Sequence, residues 1–471
     1  MAVFYGDFSM ALRSAIPAIG FPAIFSGRAA ELLALQRQYD ESQFWPPDKM
    51  RSAQFAQLSL LIEHCARTVP FYADRLRRAG LAPGKRLTEA AWRRLPILTR
   101  ADVGQLGEKL YASSIPAGFG PTAVAASGGS SGVPVRVRKT ALDNVLWESI
   151  NIREELWHRD RPEGDLVRLR GIPDDLTPEQ MAAARSKDGL ILPDWGHPAN
   201  LFWKTGRLGL LSPKLPLAQQ VAFIRKMQPA YLYTFPSYLR LIISHIRDKR
   251  EKVGAMRAVF TASEQVSDEL REDCLKVFGC KIVENYTSGE TGYIALQCPE
   301  TTNLHVQSEI ALVEILNADG GACRPGEIGR VVLTPLHNFA MPLLRYEIGD
   351  EAEVAQPCSC GRGLLALKRV VGRADDYFLL ANGERRRADI SHYRLSGIPA
   401  IREFRLVQRS FTQIVLQIVA SRALTGDELS IVENVVAKAS GGLFETVIEF
   451  VPDLDRTAAG KLRAFKCEVV G

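Results

Sequence analysis

Apolar residues recur at helical spacing through much of the stretch from about residue 30 to 110. They do so most regularly over 53–67, where the pattern predicts an amphipathic helix. Val69-Pro70-Phe71-Tyr72 then breaks that pattern. From about 115 to 350 the texture alternates. Tyr231-Leu232-Tyr233-Thr234 and Ala258-Val259-Phe260-Thr261 are short apolar runs that predict buried strands. Residues 267–278 predict a helix with Ser267 as N-cap and Glu269, Glu272 and Asp273 near its start, and 281–286 return to strand. Such alternation predicts an α/β body whose sheet edges deliver loops to a site. From Val331 short strands take over. The tail after about 374 reads strand (404–407), strand (412–419), helix (426–439) and strand (446–451), an α+β unit large enough to fold alone. The expected organisation is α/β: a large, multi-subdomain N-terminal domain over 1–372 and a small α+β C-terminal domain over 373–471, divided near Gly372-Arg373.

The length of 471 residues, about three times a typical domain, agrees with more than one domain. A formal charge of +6 suits polyanionic small molecules such as nucleotides. It is too dispersed to argue for nucleic acid, and Arg385-Arg386-Arg387 reads as a solvated turn. Residues 10–25 are apolar but carry Arg13, Pro17 and Pro22, and they are too few to span a bilayer. A docked N-terminal helix or an amphipathic surface segment is expected there. The eight cysteines lack the spacing of a secreted scaffold, which points to the reducing cytoplasm.

Two loops carry candidate chemistry. In Ser127-Gly128-Gly129-Ser130-Ser131-Gly132-Val133-Pro134, glycines let backbone N–H groups approach an anion and serines add hydroxyl donors, as the phosphates of ATP require. The Gly-Lys-Ser/Thr of a kinase-type phosphate loop is absent. A flexible linker has the same composition, but the position inside an α/β region favours a phosphate site. The second loop is Glu284-Asn285-Tyr286-Thr287-Ser288-Gly289-Glu290-Thr291-Gly292, which follows a strand. A carboxylate such as Glu290 among hydroxyls is what a phosphate-bridging Mg²⁺ needs, while Tyr286 can cover a base or line an acid pocket. An ordinary polar turn is the plainer reading.

Together these loops resemble those of the acyl-adenylate-forming ligases, specifically the phenylacetate–CoA ligase-like and coenzyme F390 synthetase-like branch. Further matches follow in order: Thr261-Ala262-Ser263-Glu264, Gly326-Glu327-Ile328-Gly329, Met341-Pro342-Leu343-Leu344-Arg345-Tyr346-Glu347-Ile348-Gly349-Asp350, Gly372-Arg373-Ala374-Asp375-Asp376, and Arg456-Thr457-Ala458-Ala459-Gly460-Lys461. Leu95-Pro96-Ile97-Leu98-Thr99-Arg100 also looks like this branch, and the resemblance runs from about residue 50 to the end. It implies an adenylate-forming N-terminal domain with a mobile C-terminal cap.

The resemblance also implies roles. Ser127, Gly128, Gly129, Ser130, Ser131 and Gly132 would hold the ATP phosphates, with Ser263, Glu264, Asn285 and Tyr286 around the nucleotide. Glu290 would ligate Mg²⁺, Asp350 would bind the ribose hydroxyls and Arg373 the ribose or phosphate. Asp375 would be the hinge, and Lys461 would bridge the substrate carboxylate and the α-phosphate. The chemistry requires such cations and donors, because a carboxylate and a triphosphate repel each other. Three positions depart from the pattern: Val133 replaces a lysine, Thr287 a glycine, and Gly289 a Thr or Ser.

Cys298, His305, Cys358 and Cys360 form a donor set suited to structural zinc, with Cys323 as a rival ligand and separate free thiols as the alternative. Some members of the resembling branch carry such a site. Trp195, Tyr233, Phe235, Ser237, Tyr238, Tyr286 and Ser288 are candidates for an acid pocket that would suit an aryl or other flat acid, although aromatics at such spacing are more often core. The acyl acceptor is open between CoA, a carrier protein and an amine. Nucleotidyl transfer to a hydroxyl and a degenerate nucleotide-binding protein are the alternatives.

Overall fold

The computed structural model describes residues 12–469 apart from 17, 20, 82–83, 85–86, 127–134, 174, 374–376, 389–394, 396–397, 399 and 457–461. The expected phosphate loop with Val133, the hinge residue Asp375, and Lys461 therefore lie outside the described residues, as does the side chain of Arg373. The fold is mixed α/β. Compact packing gathers Met1–Pro162, His197–Lys204 and Asn285–Arg373 into one unit, and Glu163–Gly196, Thr205–Glu284 and Ala374–Gly471 into another.

The first unit begins with helices. The predicted helix runs over Pro47–Thr68, longer than its apolar repeat, because proline is tolerated in the first turn where its missing N–H has no partner to lose. Met50, Leu58, Leu61, Ile62 and Cys65 form its buried stripe. It stops where Pro70 forces Val69 into extended backbone, and a second helix, Pro70–Ala79, follows at once. These helices pack on an antiparallel sheet whose strands lie in the order Ala311–Leu316, Ile328–Pro335, Tyr346–Val354, Ala366–Arg373, Leu304–Val306 and Gly292–Gln297. Residues Asn285 to Ser288 pair beside the last of these. Leu58, Trp92, Leu98, Val331, Leu333, Leu343, Tyr346 and Leu367 share one core. Strands therefore dominate from Lys281 onward rather than from Val331, and Ile328–Pro335 and Tyr346–Val354 are long rather than short. A separate ribbon pairs Thr122–Ala126 with Arg136–Thr140, the two strands that flank the glycine and serine loop.

No helix forms over the described residues between 12 and 26. Two prolines break that segment, and it docks in extended form instead: Leu12 bridges Trp203, and the Arg13 N–H donates to the Phe202 carbonyl at 2.7 Å. No helix of the described residues is long and apolar enough to cross a membrane.

In the second unit, Ala258–Ala262, Tyr231–Thr234, Leu166–Leu169 and Leu208–Leu210 run parallel, and Leu190–Leu192 closes the row antiparallel. The two predicted strands are thus central, buried by helices Leu217–Met227, Pro236–Lys249 and Asp268–Phe278. Ser267 caps the last of these, accepting from the Leu270 N–H at 3.2 Å, and Gly279 ends it at φ +68°. The tail forms a four-stranded sheet in the order Glu445–Phe450, Gln413–Ala420, Ile401–Gln408 and Phe465–Cys467, covered by helix Gly426–Ser440. Arg385–Arg387 is a strand rather than a turn. Asn382-Gly383 supplies the turn, with Gly383 at φ +82°, and the three arginines pair with Tyr377–Leu379.

Candidate functional site

In the first unit Asn285–Ser288, the end of the strand Lys281–Ser288, leads into the turn that carries Glu290. Glu290 is only 3% exposed. Its Oε1 accepts from Arg100 Nη1 at 2.6 Å and from the Tyr346 hydroxyl at 3.3 Å. Arg100 opens the helix Arg100–Leu106, which Thr99 and Asp102 cap reciprocally, so the guanidinium is anchored at a defined helix start. Burial first, then the Glu290 carboxylate, pushes the Tyr346 phenol above its ordinary range. Both contacts fall on Oε1, which leaves Oε2 for a cation or water. Arg100 and Tyr346 lie in two of the segments that carry the family resemblance, yet nothing in their spacing showed that they meet Glu290.

The Tyr286 hydroxyl donates to Asp350 Oδ2 at 2.7 Å. Asp350 sits directly across the sheet from Arg373. The turn between these segments is closed by Ser288, whose Oγ lies 2.9 Å from the Thr291 hydroxyl and accepts the Thr291 N–H at 3.1 Å. Asn285 points elsewhere: its Nδ2 donates to Glu154 at 2.8 Å inside a buried polar cluster, and its Oδ1 is buried without a partner. At the departures, Thr287 stands at a register shift opposite Tyr293, and Gly289 is exposed at the tip of the turn.

The same loop walls a cavity of about 230 Å³. Lys139, Asp143, Trp147, Gly292, Tyr293 and His337 are among the residues that line it. Gly292 holds φ +81°, and an added Cβ would stand 3.4 Å from the Trp147 ring, so glycine keeps this wall open.

In the second unit, Glu264 follows strand Ala258–Ala262 and Ser263, which holds φ +74°, a left-handed conformation uncommon outside glycine. Glu264 accepts the Ser237 N–H at 2.9 Å and the Ser237 hydroxyl at 3.1 Å, a carboxylate placed at the start of helix Pro236–Lys249. It also accepts the Leu462 N–H at 3.0 Å, and so holds the residue after Lys461. Arg456 donates to the Ser237 hydroxyl at 2.9 Å and stacks over Tyr238 at 4.1 Å. Of the other aromatic candidates, Trp195 is buried with its indole N–H on the Gly164 carbonyl, and Phe235 is buried at the helix start. Tyr233 and Phe235 both lie under the Arg170 guanidinium.

Cys298, His305, Cys358 and Cys360 converge in the first unit, with their donor atoms all within 4.8 Å of one another. Two sulfurs each about 2.3 Å from a tetrahedral zinc stand about 3.8 Å apart, and Cys298 and Cys358 are 3.8 Å apart. Cys360 Sγ lies 3.3 Å from His305 Nε2. Burial and the nearby Arg362 bring the His305 imidazole down to about 4, so it is neutral as a ligand must be. The donor set and spacing fit a structural metal. Cys323 belongs elsewhere, with its sulfur against Gly329. The knuckle also aims Arg362, whose Nε donates to Gln43 at 2.8 Å and whose guanidinium stacks on Trp157 at 4.7 Å, tying the cluster to the N-terminal helices.

No family model matches the chain. The phenylacetate-coenzyme A ligase of Thermus thermophilus is 26% identical over 363 residues, which cover 72% of this chain and 74% of that protein. The phenylacetate-coenzyme A ligase of Escherichia coli is 23% identical over 347 residues, 71% and 73% of the two chains. Among solved structures, 2-hydroxyisobutyryl-CoA ligase in its postadenylation state with R3-HIB-AMP aligns at a TM-score of 0.68 and 16% identity, over 90% of this chain and 91% of that one. That likeness is one of fold, and the sequence relatives supply the branch. Over more than two thirds of its length the chain is thus similar in sequence to phenylacetate-coenzyme A ligases, and its fold is that of the adenylate-forming ligases.

Proposed function

We propose that the chain uses ATP to activate a carboxylic acid as an acyl-adenylate and passes the acyl group to coenzyme A. In the first step a carboxylate oxygen attacks the α-phosphorus, the α–β anhydride bond breaks and pyrophosphate leaves. In the second the coenzyme A sulfur, its proton lost to solvent, attacks the acyl carbon and AMP leaves.

One observation carries the reading. Within one unit, two carboxylates stand in fixed positions: Glu290, held through one oxygen by Arg100 and Tyr346, and Asp350, held by Tyr286. Glu290 Oε2 would take Mg²⁺ with the phosphates, and Asp350 with Arg373 the ribose. Ser127 to Gly132 would bind the phosphates and Lys461 the reacting carboxylate. Residues 373–471 would turn about Asp375 as a cap, delivering Lys461 for adenylation and withdrawing it afterwards. The Cys298, His305, Cys358 and Cys360 cluster would hold zinc as a structural metal. The free thiols suit the reducing cytoplasm.

The test is acid-dependent exchange of labelled pyrophosphate into ATP over a broad acid panel, followed by thioester formation with coenzyme A. Exchange that disappears in Lys461→Ala is expected. The departures at Thr287 and Gly289, and a Ser288 hydroxyl already engaged by Thr291, favour a nucleotide-binding protein without turnover as the second reading. ATP binding with no exchange for any acid would establish that one instead.

A further inference from the structure

The cavity beside Glu290 is walled by polar groups as well as rings, and two of them lack partners. The Lys139 side chain makes no hydrogen bond or ion pair among the described residues, although it is half-buried and feels the charges of Asp143 and Glu290. Burial pushes its ammonium below the ordinary lysine range, while those two carboxylates pull it back. Asp143 makes no bond to it; its Oδ2 accepts the N–H and the hydroxyl of Thr140, each at 2.7 Å. His337, which also lines the cavity, has a buried Nδ1 with no partner. Buried polar groups are nearly always satisfied, so the unpartnered His337 Nδ1 and a half-buried, unpaired ammonium lining the same cavity point to a ligand that bonds both.

The position of the cavity identifies that ligand. Thr291 and Gly292 directly follow Glu290, and Lys139 lies on the strand that follows the glycine and serine loop. Both adjoin residues assigned above to the triphosphate and its metal, so the body of an acid whose carboxylate attacks the α-phosphorus would lie near this cavity. The volume of about 230 Å³ is below the range of about 300–1,000 Å³ typical of drug-sized ligands, so the occupant is small. Trp147 and Tyr293, with ring centroids 6.0 Å apart, offer an apolar face to a flat body.

We propose that this cavity receives the side group of the activated acid, and that Lys139, with His337, selects small acids bearing a hydrogen-bond-accepting substituent, a hydroxyl or a second carboxylate, over the unsubstituted aryl or alkyl acid. This rests on the acid-activation reading. The bare acid leaves Lys139 and His337 unpaired in the closed site, and sites built to bond a substrate group discriminate strongly against analogues that lack it.

Pyrophosphate exchange with matched acids tests the proposal: phenylacetate against its ring-hydroxylated and ring-carboxylated forms, and butyrate against hydroxybutyrate and succinate. The substituted member of at least one pair is expected to show kcat/KM roughly tenfold or more above its parent. Lys139→Met should collapse that ratio, chiefly by raising the KM of the substituted acid. Lys139→Gln and His337→Phe, each checked by thermal melting, give the same readout should Lys139→Met misfold. Preference for the unsubstituted acids, or a ratio unmoved by any of these variants, overturns the proposal while adenylation stands. Exchange with no acid at all overturns the activation reading and this one with it.

Discussion

Arg100 Nη1 stands 2.6 Å from Glu290 Oε1, an ion pair in which the carboxylate side chain is 3% exposed and the guanidinium 18%. The residues lie 190 positions apart, so the pair ties the start of a helix to the loop that follows the strand Lys281–Ser288. Removing one partner of such a pair strands the other charge in a dry place, and this costs about 3 kcal/mol or more. Arg100→Ala should therefore lower stability by about that much, read as a shift in the urea midpoint at unchanged slope. Glu290→Gln keeps the shape and leaves a group that Arg100 can still bond, so its stability loss should be smaller while Mg²⁺-dependent exchange is lost. Equal stability losses with exchange intact would remove Glu290 from the metal-binding role.

The contact between the Tyr286 hydroxyl and Asp350 separates positioning from binding. Tyr286→Phe deletes one hydrogen bond, worth about 1 kcal/mol, and frees an oxygen of Asp350 without removing its charge. Its effect on the KM for ATP should be a few-fold, about the factor that 1 kcal/mol implies. Asp350→Ala removes the acceptor itself and should raise that KM by roughly tenfold or more, with stability nearly unchanged because Asp350 is only partly buried. Titration of exchange rates against ATP checks both. A larger effect from Tyr286→Phe than from Asp350→Ala would place the nucleotide contact on the tyrosine.

Much of this architecture was legible in the sequence where one local cause dominates. Ser267 capped its helix as its side chain predicts, and Tyr231–Thr234 and Ala258–Ala262 were apolar enough to announce buried strands. What stayed hidden depends on partners distant in the chain. Arg385–Arg387 has the composition of a solvated turn and becomes a strand because Tyr377–Leu379 lies opposite. Phe465–Cys467 is three residues long and owes its extended form to pairing with Ile401–Gln408. The same holds for the site. The motifs single out Glu290 and Asp350 as candidates, whereas the contacts of Arg100 and Tyr346 with Glu290, and the place of Lys139 at the cavity, arise only from folding.

The four-residue cluster of Cys298, His305, Cys358 and Cys360 makes a compositional prediction. Purified protein should carry close to one zinc per chain by elemental analysis. Cys298→Ser should lower that content and destabilise the protein on the order of 4 kcal/mol, the scale of losing a structural metal. The loss should reach Arg362, which follows the Cys358-Ser359-Cys360 segment and holds Gln43. Protease cleavage near the junction of helices Gly27–Ser42 and Pro47–Thr68 should therefore rise when the metal is chelated. Metal-free protein with an unchanged melting temperature in Cys298→Ser would leave the four side chains as separate thiols and an imidazole.

His337 gives the stability of the first unit a pH dependence of known sign. Burial brings its imidazole down to about 4, against about 6.5 in the unfolded chain, because the charged form cannot be hydrated where it sits. Between those values the unfolded chain holds a proton that the folded protein lacks, so stability falls as pH drops through this window and is fully present above about 6.5. The expected loss between pH 7 and pH 5 is about 2 kcal/mol from this residue. Replacing it by a side chain that does not titrate, His337→Gln, should flatten that part of the curve of urea midpoint against pH. An acid that accepts a bond in the cavity would occupy the wild-type imidazole as well. Adding the best substrate of the exchange panel should then shift the midpoint more in wild type than in His337→Gln, and an equal shift would mean that the acid does not reach this wall.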